Sequence, residues 1–159
     1  MNQNSETIKN AIQGSLNIIE QDREREIIKH RFGLGGRKET LEQIGTMLSI
    51  TRERVRQLEK AVLIRLRIAA EENQIPELPA AEKLIIRNLT ELGRIARLSD
   101  LCDKIYGRPS TDIERAEIGF LADISTALTL ITDNDSYYAA VGISDYGDGT
   151  GHSHSDSSE

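Results

Sequence analysis

The segment TRERVRQLEK, residues 51–60, combines side chains of the types that recognise DNA bases. Arginine pairs with guanine, glutamine pairs with adenine, and glutamate accepts a hydrogen bond from the cytosine amino group. On a helix of about 3.6 residues per turn, the polar side chains of this segment fall within an arc of about 140°. They are Arg52, Glu53, Arg56, Gln57 and Lys60. The spacing allows a base-reading face, and it equally allows an ordinary solvated charged face.

The apolar residues of the same helix lie on its opposite side, between about 240° and 320° when Arg52 is set at 0°. They are Val55, Leu58, Val62 and Leu66. If this apolar arc packs on another helix, the polar arc must face outward. The pairs Arg52–Arg56 and Glu53–Gln57 do not join opposite charges. Ion pairing within the helix therefore does not explain the polar residue types.

The residues just before this segment predict the first helix of a helix-turn-helix. Thr40 and Gln43 form a capping box, in which each side chain bonds the backbone N–H of the other residue. Gly45 supplies the small residue needed where the two helices of the motif cross. The turn is Ser49-Ile50, and Thr51 begins the next helix. The inward residues of the first helix are expected to be Leu41, Ile44, Met47 and Leu48.

Two further helices are predicted upstream. Ser5 is expected to cap the first, whose apolar residues recur at helical spacing. They are Ile8, Ile12, Leu16 and Ile19. Asp22 is expected to cap the second, and the glycines of GLGG, residues 33–36, are expected to end it. Residues 1–72 are thus predicted to form a four-helix domain that contains the helix-turn-helix.

The second half predicts a small winged helix over residues 81–143, after a linker with two prolines at residues 73–80. A helix beginning at Ser99 and a capping box in TDIE, residues 111–114, precede two β-rich stretches. These are LTLIT (128–132) and SYYAAVGI (136–143), with a hairpin turn predicted at DND between them, and ARLS (96–99) as a third strand.

Residues 144–159 contain one apolar side chain, Tyr146, and are predicted to be a disordered acidic tail. The predicted fold class is therefore mainly α. It comprises a four-helix helix-turn-helix domain at the N-terminal end, a small α+β winged-helix domain at the C-terminal end, and the tail.

Charge divides the chain into two unlike halves. Residues 1–73 contain 13 Lys and Arg against 11 Asp and Glu, whereas residues 74–159 contain 7 against 15. The first half is therefore net positive, although the whole chain has a formal charge of −6. Such an asymmetry favours two modules with different partners.

Several functional classes have little support. The single cysteine, Cys102, cannot form an internal disulfide and is expected to be a core residue in a cytoplasmic protein. No apolar run approaches the length of about 20 residues that spans a membrane. No catalytic triad or carboxylate pair is apparent, so we expect no enzyme and no cofactor. His152 and His154 lie in the acidic tail, where we expect no metal site.

The segment DREREIIKHRFGLGGRKETLEQIGTMLSITRERVRQLEKAVLIRLR, residues 22–67, resembles region 4 of the sigma-70 family of RNA polymerase sigma factors. The resemblance is carried by RFGL (31–34), TLEQIG (40–45), TRERVRQLE (51–59) and VLIRLR (62–67). It implies that region 4 reads the minus-35 element of double-stranded promoter DNA through the second helix of its motif. It also implies docking on the β flap of the RNA polymerase core.

By this resemblance the base-reading positions are Arg52, Glu53, Arg56 and Gln57. Leu41, Glu42 and Arg54 match positions near the DNA backbone or in the supporting fold. The predicted DNA-binding residues are Thr40, Leu41, Glu42, Thr51, Arg52, Glu53, Arg56, Gln57 and Lys60.

The chain departs from the family after this segment. Ala61 and Ile64 stand where the family has basic residues that contact activators and the polymerase α subunit. The family's promoter-melting region has no counterpart here, so the chain resembles a detached region 4.

The second half resembles winged-helix domains of the HARE type only in the order of its elements. Its predicted third helix is expected to expose Glu114, Arg115, Glu117 and Asp123, which is too acidic for a groove-reading helix. We therefore expect residues 81–143 to bind a protein.

The leading hypothesis is a transcription protein that binds promoter-like DNA, the polymerase flap, or both. The alternative is a protein-interaction module that mimics region 4 and modulates a sigma factor or the polymerase without reading DNA sequence.

Overall fold

A computed structural model describes residues 3–132 and 139–144. These residues form seven helices and three strands. They are α1 (Gln3–Ile18), α2 (Asp22–Phe32), α3 (Leu41–Leu48), α4 (Arg52–Glu71), α5 (Leu78–Glu91), β1 (Ile95–Arg97), α6 (Leu98–Tyr106), α7 (Asp112–Ile124), β2 (Leu128–Thr132) and β3 (Ala139–Ile143). The predicted fold class is confirmed. The predicted turn at 133–135, residues 136–138, His152, His154 and the rest of the tail beyond Ser144 lie outside the described residues.

Capping chemistry fixes where the helices of both motifs begin. Thr40 Oγ1 accepts from the Gln43 N–H at 3.0 Å, and the Thr40 N–H donates to Gln43 Oε1 at 2.8 Å. Thr111 and Glu114 make the same reciprocal bonds at the start of α7. Both predicted capping boxes are confirmed. Sequence could predict them because each involves only four consecutive residues.

Three other predicted helix starts are wrong by one to three residues. The first helix begins at Gln3, before Ser5, and α6 begins at Leu98, before Ser99. Asp22 is the first residue of α2 and follows the N-cap Gln21. At that position its carboxylate still interacts favourably with the positive end of the helix dipole. It also pairs with Arg25 at 2.7 Å.

A continuous hydrophobic core joins α1 to the second half of the chain. The first helix packs against α5, α6 and α7, and its side chains Ile8 and Ile12 are buried among residues of those helices. Phe32 of α2 meets Phe120 of α7 edge to face, with ring centroids 5.0 Å apart. A smaller apolar cluster lies within the helix-turn-helix. The division of the chain at residues 73–80 stays a prediction.

The predicted linker contributes to this core. Ile75 and Leu78 are buried, and α5 begins at Leu78, inside the stretch expected to be a linker. Pro79 is compatible with this start, because the first turn of a helix has no intrahelical partner for its N–H groups.

The three strands form an antiparallel sheet in the order β1-β3-β2. Val141 of the central strand is fully buried and pairs with Ala96 on one side and Leu130 on the other. The third strand predicted at ARLS (96–99) is confirmed in part: Ala96 and Arg97 belong to β1, whereas Leu98 and Ser99 begin α6. Together with α5, α6 and α7, the sheet gives the winged-helix order of elements.

Glu117 was expected to be exposed, and this expectation is wrong. It is 6% exposed because α1 packs over this side of α7. Its Oε2 lies 3.6 Å from Lys9 Nζ, and its Oε1 has no hydrogen-bond partner among the described residues. Burial raises the pKa of this carboxyl group, and the nearby Lys9 ammonium only partly opposes the shift.

None of the described helices is both long and apolar enough to cross a bilayer.

Candidate nucleic-acid interface

The crossing of α3 and α4 depends on the missing side chain of Gly45. A Cβ atom there would lie 2.7 Å from the carbonyl oxygen of Ile50, closer than real Cβ contacts come. The Ile50 N–H donates to the Gly45 carbonyl at 2.9 Å, and Ser49 adopts the left-handed conformation with φ 60°. The chain therefore turns tightly enough for α4 to cross against α3, as a helix-turn-helix requires.

Thr51 starts α4, and an apolar face anchors it. Thr51 Oγ1 accepts from the Arg54 N–H at 3.0 Å. Val55 is fully buried and Leu58 is 8% exposed, in a cluster with Ile44 of α3 and Ile27 of α2. This packing leaves the opposite side of the first turns of α4 in solvent.

The predicted reading residues lie on that outward side. All of them are exposed: Arg52, Glu53, Arg56, Gln57 and Lys60. Thr40, Glu42 and Thr51 are also exposed, at the starts of the two helices. Leu41 is half-buried against the helix-turn-helix cluster, where it supports the fold. Met47 was expected to face inward but is 49% exposed, since α3 is held through Ile44 and Gly45 instead.

An ion pair links two of the reading residues, contrary to the expectation that such pairing plays no part. Arg56 Nη2 lies 2.6 Å from Glu53 Oε2, three residues away. The hydrogen bond from Arg56 lowers the pKa of Glu53, and the same bond raises the pKa of Arg56. Both side chains are about half exposed, so a competing ligand can reach either one.

Two ion pairs join α4 to α2. Arg31 Nε of α2 lies 3.2 Å from Glu59 Oε1, and Arg65 Nη2 lies 2.6 Å from Glu24 Oε1 of α2. Sequence patterns did not reveal these pairs, because the partners are 28 and 41 residues apart.

The C-terminal end of α4 contacts the winged unit, which consists of α5, α6, α7 and the three-stranded sheet. Arg67 donates to the Asp123 carbonyl oxygen at 2.9 Å and to its carboxylate at 3.0 Å. The helix is thus held through Val55 and Leu58 near its start and through Arg67 near its end.

Beyond Lys60 the outward face of α4 becomes apolar. Ala61 is exposed, and Ile64 and Ile68 are 46% and 48% exposed. One helix therefore presents a polar surface over its first turns and an apolar surface over its later turns.

Residues 21–67 match the family model for sigma-70, region 4. The match begins at the N-cap of α2, includes the whole helix-turn-helix, and ends at Arg67, where α4 contacts α7. It covers less than half of the chain. The resemblance of the second half to HARE-type winged helices stays a prediction.

Similar proteins include several RNA polymerase sigma factors. The chloroplastic sigma factor sigF of Arabidopsis thaliana is 40% identical over 68 residues, which are 42% of this chain and 12% of that protein. SigA of Listeria monocytogenes is 37% identical over 73 residues, 45% of this chain and 19% of SigA. SigA of Microcystis aeruginosa is 42% identical over 66 residues, 39% of this chain and 16% of SigA. The chain thus spans less than a fifth of the length of these relatives.

Proposed function

We propose that this chain is a DNA-binding protein of transcription initiation that reads a minus-35-like promoter element through α4. The observation that carries the proposal is the outward placement of Arg52, Arg56 and Gln57 on the second helix of a helix-turn-helix. The similarity of residues 21–67 to sigma-70 region 4 supports it independently. The proposal gives the chain no catalytic role.

The dimensions of α4 suit the major groove. An α-helix with its side chains is about 10–12 Å across, and the major groove of B-DNA is about 12 Å wide and accepts such a helix. Thr51 uses one lone pair of its hydroxyl to cap α4, which leaves the hydroxyl proton available for a phosphate oxygen. Thr40 caps α3 in the same way, and its hydroxyl proton is also available for a phosphate oxygen.

Partners besides DNA belong to the proposal as well. We propose that the region 4-like unit docks on the β flap of the RNA polymerase core, and that the acidic residues 81–143 bind a protein. Such contacts would add to a DNA affinity that the mutual pairing of Glu53 and Arg56 keeps modest.

Substituting Arg56→Ala tests base reading. A preferred duplex is first selected with the full chain, and affinities for it and for a scrambled duplex are then measured by fluorescence anisotropy at several salt concentrations. Loss of a bidentate base contact costs about 1–3 kcal/mol, so the affinity for the preferred duplex should fall about 5- to 150-fold. The control is Arg87→Ala on α5, which removes the same charge from an exposed position outside the motif. Equal affinities for R56A and R87A would exclude the proposal.

The exposed apolar turns of α4 favour a second candidate function. A region 4-like module that binds only proteins would use Ile64 and Ile68 and would leave Glu53 paired with Arg56. The double variant Ile64→Ser/Ile68→Ser would then lose retention on purified polymerase core, whereas R56A would leave DNA binding unchanged. Promoter reading is supported if the double variant is still retained on the polymerase core and R56A weakens DNA binding.

A further inference from the structure

A cleft of about 670 Å³ separates the helix-turn-helix from the winged unit. One lip is the loop between α2 and α3, which includes Arg37 and Lys38. The other lip is the junction of β1 and α6, which includes Arg97 and Ser99. Four large apolar residues, Phe32, Leu98, Phe120 and Leu130, also line the cleft.

The carboxylates in this cleft are already paired with arginines. Glu59 pairs with Arg31, Asp112 with Arg115, and Asp123 with Arg67. These pairs neutralise the acidic groups that would repel an anion. They also occupy Arg31 and Arg115, the two arginines of the cleft lining outside the lips.

The cations on the lips are held more loosely. Arg37 is 84% exposed and reaches Glu39 only at 4.0 Å, and Arg97 is 69% exposed and lies 3.7 Å from Asp100. Lys38 is exposed beside Arg37. Exposed pairs at such distances contribute little stability, so an incoming anion can displace them.

The cleft flanks the reading face of α4. Glu59, which lines the cleft, lies about 20° around the helix from Arg52 and about 60° from Arg56. A duplex that holds α4 in its major groove must carry a phosphate backbone along each side of the helix. One of these backbones would then run on the side of α4 where Glu59 and the cleft lie.

We propose that the two lips of this cleft bind the DNA phosphate backbone, with Arg97 of the winged unit facing Arg37 and Lys38 across it. This inference rests on the proposed function and extends it to the acidic half of the chain. An acidic polypeptide offers similar charge, but the available cations follow the rim beside α4, where the backbone of a bound duplex lies.

The test compares Arg97→Gln with Arg87→Gln in the full chain. Each substitution removes one exposed positive charge from the winged half, and only Arg97 lines the cleft. Binding to preferred and scrambled duplexes is measured between 50 and 200 mM salt. Loss of one phosphate contact should reduce the slope of log K against log salt by about 0.9 for both duplexes. Lys38→Gln should act in the same way, and R87Q should match the wild type.

Each outcome decides the inference. If R97Q and R87Q have equal slopes, the cleft does not hold DNA. If R97Q binds DNA normally but loses affinity for poly-glutamate, the cleft takes an acidic polypeptide and the DNA proposal is overturned. If R97Q reduces the slope while R56A has no effect, the backbone contact stands and base reading fails. Circular dichroism melting confirms that the variants fold.

Discussion

Arg56 and Glu53 are paired with each other in the free protein, with Arg56 Nη2 2.6 Å from Glu53 Oε2. Both are proposed to read bases, so DNA must replace this contact when it binds. An exposed ion pair contributes little stability, which makes the exchange feasible. The pair also cancels charge at the centre of the proposed reading face and should thereby reduce non-specific attraction to phosphates.

Substituting Glu53→Gln should therefore release Arg56 and weaken discrimination between sequences. We expect tighter binding to a scrambled duplex at low salt, because one repulsive charge is lost, and a smaller gain as salt screens the charges. The ratio of affinities for preferred and scrambled duplexes should fall, since the neutral amide oxygen of glutamine accepts a weaker hydrogen bond from the cytosine amino group than a carboxylate does. Anisotropy titrations measure both effects. Glu71→Gln, an exposed change near the end of α4, is the control, and equal effects of the two variants would contradict this role of Glu53.

Gly45→Ala should destabilise the helix-turn-helix. The added Cβ would lie 2.7 Å from the Ile50 carbonyl oxygen, and backbone atoms of the turn cannot move aside cheaply. Overpacking of this kind costs about 1–3 kcal/mol of the free energy of unfolding, measurable by urea denaturation. Gly35→Ala is the matched control, because its Cβ would meet no described atom within 4 Å. A G45A variant as stable as G35A would show that the crossing is looser than the structure indicates.

Local features of the interface were predictable from sequence. The capping box at Thr40, the small residue at Gly45 and the apolar arc through Val55 each depend on residues within one or two helical turns. The Glu53–Arg56 pair is equally local, but it was missed because only residues four positions apart were compared, whereas the pair is three apart.

Contacts between distant segments were not predictable in this way. The burial of Glu117 results from α1, whose Lys9 is 108 positions earlier in the chain. The burial of Ile75 in the predicted linker likewise depends on the core that α1 shares with α5. Periodicity identifies which face of a helix is apolar, but it does not identify the element that covers the face.

Glu117→Gln should stabilise the protein at neutral pH. The raised pKa of Glu117 shows that its surroundings favour the neutral form despite Lys9. The contribution of Glu117 to stability is therefore fully present below its unfolded-state pKa and is lost as the pH rises through its higher folded-state pKa. Glutamine stays neutral, so thermal melts at pH 7 should show a gain of about 1 kcal/mol, and this gain should vanish at low pH.

Glu6→Gln on the exposed side of α1 is the control for this change. It removes the same charge without relieving a buried carboxylate, so it should not reproduce the pH-dependent gain. A loss of stability in E117Q at pH 7 would instead mean that the contact with Lys9 outweighs the cost of burying the charge.

Ile64→Lys should strengthen DNA binding without weakening the fold. Ile64 is 46% exposed and lies one turn beyond Lys60 on the outward face of α4, so a lysine there can reach the phosphates beside the groove. Each added phosphate contact should steepen the slope of log K against log salt by about 0.9. The free energy of unfolding should change by no more than about 0.5 kcal/mol, as for other surface substitutions.

Leu92→Lys adds the same charge at a residue 37% exposed beside α5, and its slope should match the wild type. If I64K binds DNA no better than L92K, the later turns of α4 do not approach the duplex, and their exposed isoleucines are then better assigned to a protein partner.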